Sequence, residues 1–338
     1  MEDEKFRKKR MLSNIVLLLI SVIWGFSMVA QRMGMSYIQP FTFCFIRFSL
    51  GVAALIPVVL FSRKRKIKAL AAAGKAPEPL LNKQAWTGGL LCGITIFFAV
   101  GLQQIALVDT AAGKTGFITA LYIVLVPLAG LFVKQYPPKA VWLAVALALA
   151  GLYLLCIKEG FSIAPMDFVI LISTVFYAAQ IWIISFYSKR VDPLCFTVVE
   201  LGCVAILSFV AMLLFEEPVW DHIRDCGPIL AYVGFISVGL AYSVQVAAQK
   251  HADTTVAALI LSMEAAFSAL GGYLLLGEVL SPRESAGCFL MLAAIIIAQL
   301  PERKQQDRKR DEIHGSAENG GISPAQEAIS ALEGRKGL

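Results

Sequence analysis

About ten apolar runs of 16 to 24 residues follow one another with short connections, near 11–31, 41–62, 86–107, 111–133, 140–157, 168–187, 194–215, 228–248, 254–277 and 285–300. Each is long enough to cross, or nearly cross, a hydrocarbon core of roughly 30 Å at about 1.5 Å per residue in a helix. The composition fits: 58% of residues are hydrophobic and 16% charged, against about 25% charged in soluble domains. The longest pieces outside the runs, 301–338 and 63–84, are too short to bury cores of their own. The expected fold is an all-α integral membrane protein with ten transmembrane helices, and a sizeable soluble domain is excluded.

The net charge of +6 acquires its meaning from where it lies. With the amino terminus placed inside, 24 Lys and Arg residues fall on the inner side and four (Arg32, Lys158, Arg224, Arg283) on the outer, while Arg47 and Lys114 fall within runs. That asymmetry is a positive-inside signal, so both termini are expected in the cytoplasm of a multi-pass protein of the cell membrane. The basic surplus reports topology and an attraction to anionic lipid; nucleic acid is not implied. The seven cysteines are odd in number, contain no C-x-x-C and lie mostly within runs, as small packing residues do. The basic start followed by an apolar run resembles a signal peptide, but its length and the poor cleavage site at Met28-Val29-Ala30 mark it as a retained first helix. The tail after Pro301 is polar, mixes both signs of charge and reads as disordered, with one short helix expected at 324–333.

The apolar part looks duplicated. A shift of 142 residues pairs Gln103 with Gln245, Ile118 with Ile260, Tyr122 with Glu264 and Gly130 with Gly272; a shift of 153 pairs Pro40 with Pro193 and Arg47 with Glu200. Two halves of five helices each must enter the membrane from opposite faces, so duplication yields an inverted-topology repeat. The chain then divides into a cytoplasmic basic segment (1–10), a first five-helix repeat (11–157), a second (168–300) and a cytoplasmic tail (301–338).

Polar side chains within such helices face a bundle interior or a wet cavity. The eighth run carries Tyr242, Gln245 and Gln249 at a spacing that places them on one stripe, with Ser237 on its flank. The sixth carries Ser173, Tyr177 and Gln180, the third Gln103 and Gln104, and the first Ser21, Trp24 and Met28; the fifth and tenth are nearly bare. A central path lined by helices 1–4 and 6–9 is expected, with 5 and 10 outside it. Hydrogen bonds that merely hold helices together remain the competing reading for single residues.

Four charges lie within runs: Arg47, Lys114, Glu200 and Glu264. Each would cost roughly 2.5–3.5 kcal/mol at a bilayer centre. Lys114 lies near the outer end of the fourth run, where it can snorkel. Arg47 and Glu200 are expected about 12 Å apart along the membrane normal, too far for a direct pair, so each needs another partner. Glu264 lies near mid-membrane, where desolvation penalises the charged form. That suits a group that binds and releases a proton or meets a cationic substrate. Ser268 and Gly271 continue its face and allow a close neighbour.

Other chemistry fails on spacing. Gly113-Lys114-Thr115 lacks the first glycine of a P-loop, with Val108 in its place. His222, His251 and His314 show no metal spacing. Pro57 and Pro127 are expected to kink their helices. Ala140, Ala144 and Ala148 make a small-residue face that could pack helices within the chain or form a homodimer.

At Ile23-Trp24-Gly25, Arg47, Thr110-Ala111-Ala112, Phe117-Ile118-Thr119-Ala120-Leu121-Tyr122, Ala258-Leu259-Ile260-Leu261-Ser262-Met263-Glu264 and Leu276-Gly277-Glu278, the chain resembles the drug/metabolite transporter superfamily, specifically its ten-helix EamA-type members. The resemblance covers about 11–300. It implies two five-helix inverted repeats, cytoplasmic termini and alternating access around a central cavity, with export of amino acids, other metabolites or toxic compounds. The family often has Pro after the Glu of helix 9; Ala265 stands here, which removes the usual reason for a break in that helix.

The expected function is secondary active export of small, amphipathic metabolites such as amino acids. Glu264, Glu200, Arg47, Lys114, Trp24, Gln103, Tyr122, Tyr177, Gln180, Tyr242 and Gln245 are the expected substrate-binding or coupling residues. Partners would be the small-molecule substrate, protons and membrane lipid. No cofactor, metal or enzymatic activity is expected. A passive channel or lipid scramblase is the alternative.

Overall fold

The computed structural model describes residues 2–72, 82–110, 112–132, 134–156, 164–277 and 281–299. The tail, with its expected helix at 324–333, lies outside the described residues, as does Glu278. The first three helices are α1 (Glu2–Gly34), α2 (Pro40–Ala72) and α3 (Lys83–Asp109). The fourth apolar run forms two helices, α4 (Ala112–Ala120) and α5 (Tyr122–Phe132), and α6 (Lys139–Cys156) follows. The second half begins with α7 (Pro165–Tyr187) and α8 (Pro193–Phe215). The short α9 (Trp220–Asp225) and α10 (Gly227–Ala231) lead into a π-helical segment (Tyr232–Leu240) and α11 (Ala241–Gln249). The ninth run is again two helices, α12 (Thr254–Leu261) and α13 (Glu264–Leu276), before α14 (Pro282–Gln299). Among the described residues eight stretches are long and apolar enough to cross a membrane, and Lys139–Leu155 is a shorter apolar helix. The tenth run, α14, is opened by Arg283 and Glu284. Among the described residues the fold is all-helical, with eight membrane-length helices and the shorter α6 and α14 completing two halves.

Helix ends are set by local chemistry. Asp192 accepts from the backbone N–H of Leu194 and Cys195 (3.1 and 3.4 Å), and Pro193 begins α8, where its missing N–H is harmless. Asp253 caps α12 and Asn82 caps α3 in the same way. Gly277, at φ +68°, closes α13 in the left-handed region that favours glycine.

Close packing rests on small residues. A Cβ on Gly25 of α1 would lie 2.5 Å from the Phe267 Cβ and 2.7 Å from the Ser268 nitrogen of α13, so these backbones nearly touch. Gly93 of α3 abuts Glu200 and Cys203 of α8, and Gly234 of the π segment abuts Arg47 and Leu50 of α2. These two contacts are equivalent under the duplication. Gly151 of α6 and Gly287 of α14 meet through each other's carbonyls. Ala144 and Ala148 are buried within the chain, so that face packs internally and is not free for a second copy.

Neither interruption of a membrane helix falls at a proline. α2 runs through Pro57, and the fourth run breaks at Leu121, before Pro127. The ninth breaks at Ser262–Met263 although Ala265 follows Glu264. The cause is backbone tightening: Leu121 N–H bonds the Ile118 carbonyl (3.2 Å) and Met263 N–H the Ile260 carbonyl (3.1 Å), three residues back instead of four. The two bonds coincide under the 142-residue shift.

Candidate functional site

The two tightened turns start their second half-helices with Tyr122 and Glu264, and both side chains reach one central cavity, where the Tyr122 hydroxyl lies beside the Glu264 carboxylate. Half-helices that begin at mid-membrane are a device for presenting polar groups to a site. The cavity also receives Trp24, Met28 and Gln31 from α1, Arg47 and Phe48 from α2, and Gln103 from α3. From the second half come Tyr177 and Gln180 of α7, Ser237 of the π segment, and Tyr242 and Gln245 of α11. α6 and α14 contribute no lining residue.

Arg47 is 3% exposed. Its guanidinium donates to the Gln31 carbonyl oxygen and to the Cys44 sulfur (3.6 Å), and lies over the rings of Phe43 (5.4 Å) and Phe48 (5.1 Å). Its Nε has no partner. A buried guanidinium held by aromatic faces and one neutral amide keeps donor capacity for an incoming anion. On the opposite repeat Tyr177 donates to the Gln103 carbonyl oxygen (2.8 Å), whose amide donates to Thr119 (3.0 Å). Gln180 donates to Gln245 (3.3 Å), leaving the Gln245 amide nitrogen unpartnered. Trp24 and Tyr242 pack their rings 5.2 Å apart.

Nine of the eleven expected residues therefore line one cavity: Trp24, Arg47, Gln103, Tyr122, Tyr177, Gln180, Tyr242, Gln245 and Glu264. Glu200 does not. It is fully buried behind the wall, accepts from the Cys92 thiol (3.1 Å), has the Gln180 amide close by, and keeps one oxygen unpartnered. The Lys114 side chain lies outside the described residues. Gln31, Phe48 and Ser237 are additions. Gln31 is a polar residue near the end of an apolar run and was visible as such. Ser237 falls off the α-helical stripe because the π segment holds an extra residue per turn and shifts the phase; its freed carbonyl accepts from Trp24 Nε1 (3.1 Å).

The space available to water in the cavity is about 50 Å³. A water needs roughly 10–15 Å³ by this measure, whereas ligand pockets run to about 300–1,000 Å³. The cavity is narrow, with room for a few waters.

Both ends of the α2–α8 pair are tied. At one end Glu216, after α8, accepts from the backbone N–H of Phe41 and Thr42 and from the Thr42 hydroxyl, each at 2.7 Å, and so caps α2. Glu217 N–H donates to Gln39 (3.2 Å), and Arg32 donates to the Leu107 and Val108 carbonyls. At the other end Asp192, which caps α8, forms an ion pair with Lys66 of α2. Burial alone would raise the Asp192 carboxyl, but Lys66 and the two α8 N–H groups hold it below its ordinary value. Thus the N-terminus of α2 and that of α8 each hold a carboxylate tied to the far end of the other helix.

Membrane-length helices in two halves around a buried polar cavity fit a membrane transporter of small molecules. The chain belongs to the EamA-like transporter family, which matches residues 11–157 and 164–299. An uncharacterized transporter of Archaeoglobus fulgidus (strain ATCC 49558 / DSM 4304 / JCM 9628 / NBRC 100126 / VC-16) is 28% identical over 293 residues, covering 86% of this chain and 87% of its own. A second uncharacterized transporter of that organism is 25% identical over 273 residues, covering 79% and 90%. A protein of known crystal structure superposes with a TM-score of 0.68 at 17% identity, over 88% of this chain and 99% of its own, which shows a shared fold.

Proposed function

We propose that the chain is a secondary active exporter of small amphipathic metabolites such as amino acids, working by alternating access. The observation that carries this reading is the cavity's composition: one guanidinium (Arg47) and one carboxylate (Glu264) in a single small space walled by aromatic rings and amides. A solute with both an anionic and a cationic group meets a partner for each, Arg47 for its carboxylate and Glu264 for its ammonium group. Trp24, Phe48, Tyr122, Tyr177 and Tyr242 supply faces for an apolar side chain. A site this tight must expand to admit a metabolite, which suits a carrier that moves around its substrate rather than a standing pore.

In this reading the units 11–157 and 168–300 rock about the cavity. The tie at Glu216 opens on one side, and the Asp192–Lys66 tie opens on the other. The basic end, with Arg63, Lys66, Arg190 and Lys250, faces the cytoplasm of a cell membrane, following the positive-inside asymmetry. Glu264 takes up a proton or the substrate's cationic group in the cavity. Glu200, one residue behind the wall through Gln180, is the second coupling carboxylate. A proton gradient or substrate exchange supplies the driving force.

The test is counterflow from proteoliposomes loaded with a whole-cell metabolite extract and read by mass spectrometry against empty vesicles. Saturable loss of a few zwitterionic compounds is expected, and Glu264→Gln should abolish its acceleration by a pH gradient. Normal pH-driven transport by that variant refutes the coupling role, and unselective leakage refutes the carrier.

A further inference from the structure

The central cavity is not the largest hollow in the molecule. At the basic end a hollow of about 540 Å³ opens between the last turns of α2, the start of α3, the α7–α8 turn and the end of α11. We propose that it is a binding site for a phosphate-bearing anion.

Among the described residues the hollow is lined by Arg63 and Lys66 of α2, Arg190 of the α7–α8 turn and Lys250 after α11, with one carboxylate, Asp192. Asp192 is already engaged by Lys66 and by the two N–H groups it caps. Arg190 stacks its guanidinium on the Phe186 ring at 4.1 Å, which orients the group while leaving its N–H edges for an acceptor. A surplus of positive-inside charge explains why basic residues occur at this end. It does not explain why residues from three separate segments converge on one concavity, since topology is served equally well by scattered charges.

Depth and wall chemistry narrow the ligand. α2 has 33 residues, about 50 Å of helix at 1.5 Å per residue, and so outruns a hydrocarbon core of roughly 30 Å. Its last turns stand at headgroup depth, where the field of anionic lipid is strongest. Val59, Ile67, Leu70 and Leu194 line the hollow beside the cations, with Arg63 and Lys66 on the same face of α2 as the first three. Two guanidinium forks and the Lys250 ammonium group, beside the Lys66–Asp192 pair, match a compact anion with several oxygens better than a single carboxylate. A lipid headgroup would engage the cations with its acyl chains against Val59, Ile67 and Leu70, and a soluble phosphate would use the cations alone. An anion there would bridge α2 of the first half to α8 and α11 of the second.

The experiment uses the full chain in neutral detergent, with native mass spectrometry and thermal unfolding as readouts. The probes are dioleoylphosphatidylglycerol, dioleoylphosphatidylcholine and inorganic pyrophosphate. Phosphatidylglycerol should bind as one retained equivalent and raise the melting temperature, whereas phosphatidylcholine should not. Near a membrane surface each basic side chain removed weakens attraction about fivefold, so Arg63→Gln/Arg190→Gln/Lys250→Gln should weaken binding about 100-fold. The charge-matched control Lys64→Gln/Arg65→Gln/Lys68→Gln, on residues of α2 that do not line the hollow, should leave it within about twofold. Should the triple variant not fold, Lys250→Gln alone, at an exposed helix end, is expected to show the single-residue loss. Binding of pyrophosphate but not lipid, with the same dependence, assigns the site to a soluble phosphate. Equal loss in both triples, or no binding of either anion, overturns the proposal.

Discussion

Removing the Glu216 carboxylate should release one end of the transport path. Glu216 receives two backbone N–H groups at the start of α2 and the Thr42 hydroxyl, all at 2.7 Å, from beyond the end of α8. It therefore acts as an N-cap supplied by another helix. Loss of a capping acceptor to Ala costs about 1 kcal/mol, and loss of a carboxylate from a helix N-terminus about 0.3–1 kcal/mol. Together they come to about 2 kcal/mol, which multiplies the open fraction of that end about 30-fold. The structure supplies its own reporter. Cys44 is fully buried, lies within one turn of Thr42 on α2 and touches the Arg47 guanidinium. Its alkylation by a maleimide should accelerate about 30-fold in Glu216→Ala, and about fivefold in Glu216→Gln, which keeps one carbonyl acceptor. Cys92, equally buried but held against Glu200 between α3 and α8, should keep its rate. Peptide-resolved mass spectrometry reads both thiols in one sample. An unchanged Cys44 refutes the tie, and equal acceleration of Cys92 shows that the variant loosens the whole fold instead.

Two further outcomes follow from the same geometry. Gly93→Ala would place a Cβ 2.6 Å from the Cys203 Cβ and 2.7 Å from the Glu200 carbonyl oxygen, so overpacking should cost about 1–3 kcal/mol and lower the melting temperature; Gly202→Ala, with nothing within 4 Å of its Cβ, should not. Asp192 is held below its ordinary value when folded, so its contribution is present above its unfolded pKa of about 3.9 and is lost as pH falls through the lower folded value. Asp192→Asn should forfeit that contribution at neutral pH and lose less stability on acidification. With Lys66 63% exposed, the difference should stay under about 1 kcal/mol, and melting curves from about pH 7 to about pH 3 check it.

What was legible in the sequence was what composition and spacing encode directly. Lipid forces long apolar runs into helices, so the spans stood out, and a buried polar group in lipid is scarce enough to be conspicuous. That is why Arg47, Glu264 and the tyrosines could be singled out one by one. The fixed shift that suggested a duplication also pairs Tyr122 with Glu264, the two residues that start the half-helices at the cavity. Less legible were features written in the backbone. The tightened turns at Leu121 and Met263 lie among ordinary apolar residues, away from Pro127 and without a proline at Ala265, and the π segment moves Ser237 onto a face that a 100° rotation per residue denies it. Glu216 and Asp192 fall in connections, where a carboxylate is unremarkable until a distant helix end is seen to need one.

The duplication explains why these hidden features come in pairs. Each half supplies a helix, α2 or α8, whose N-terminus begins at Pro and lies at opposite ends of the molecule. A helix N-terminus leaves unpaired N–H groups that want an acceptor, and at both ends that acceptor is a carboxylate linked to the other half. The chemistry of the link differs. At the Glu216 end the carboxylate itself crosses between helices and makes three hydrogen bonds, whereas at the Asp192 end it stays on its own helix and the Lys66 ion pair crosses. A half-exposed ion pair is worth less than a set of charge-assisted hydrogen bonds to a helix terminus. Opening at the Asp192 end, beside the wet basic hollow, therefore breaks less than opening at the Glu216 end. The cavity would be reached more often from the basic end, the side from which an exporter with that end in the cytoplasm has to load.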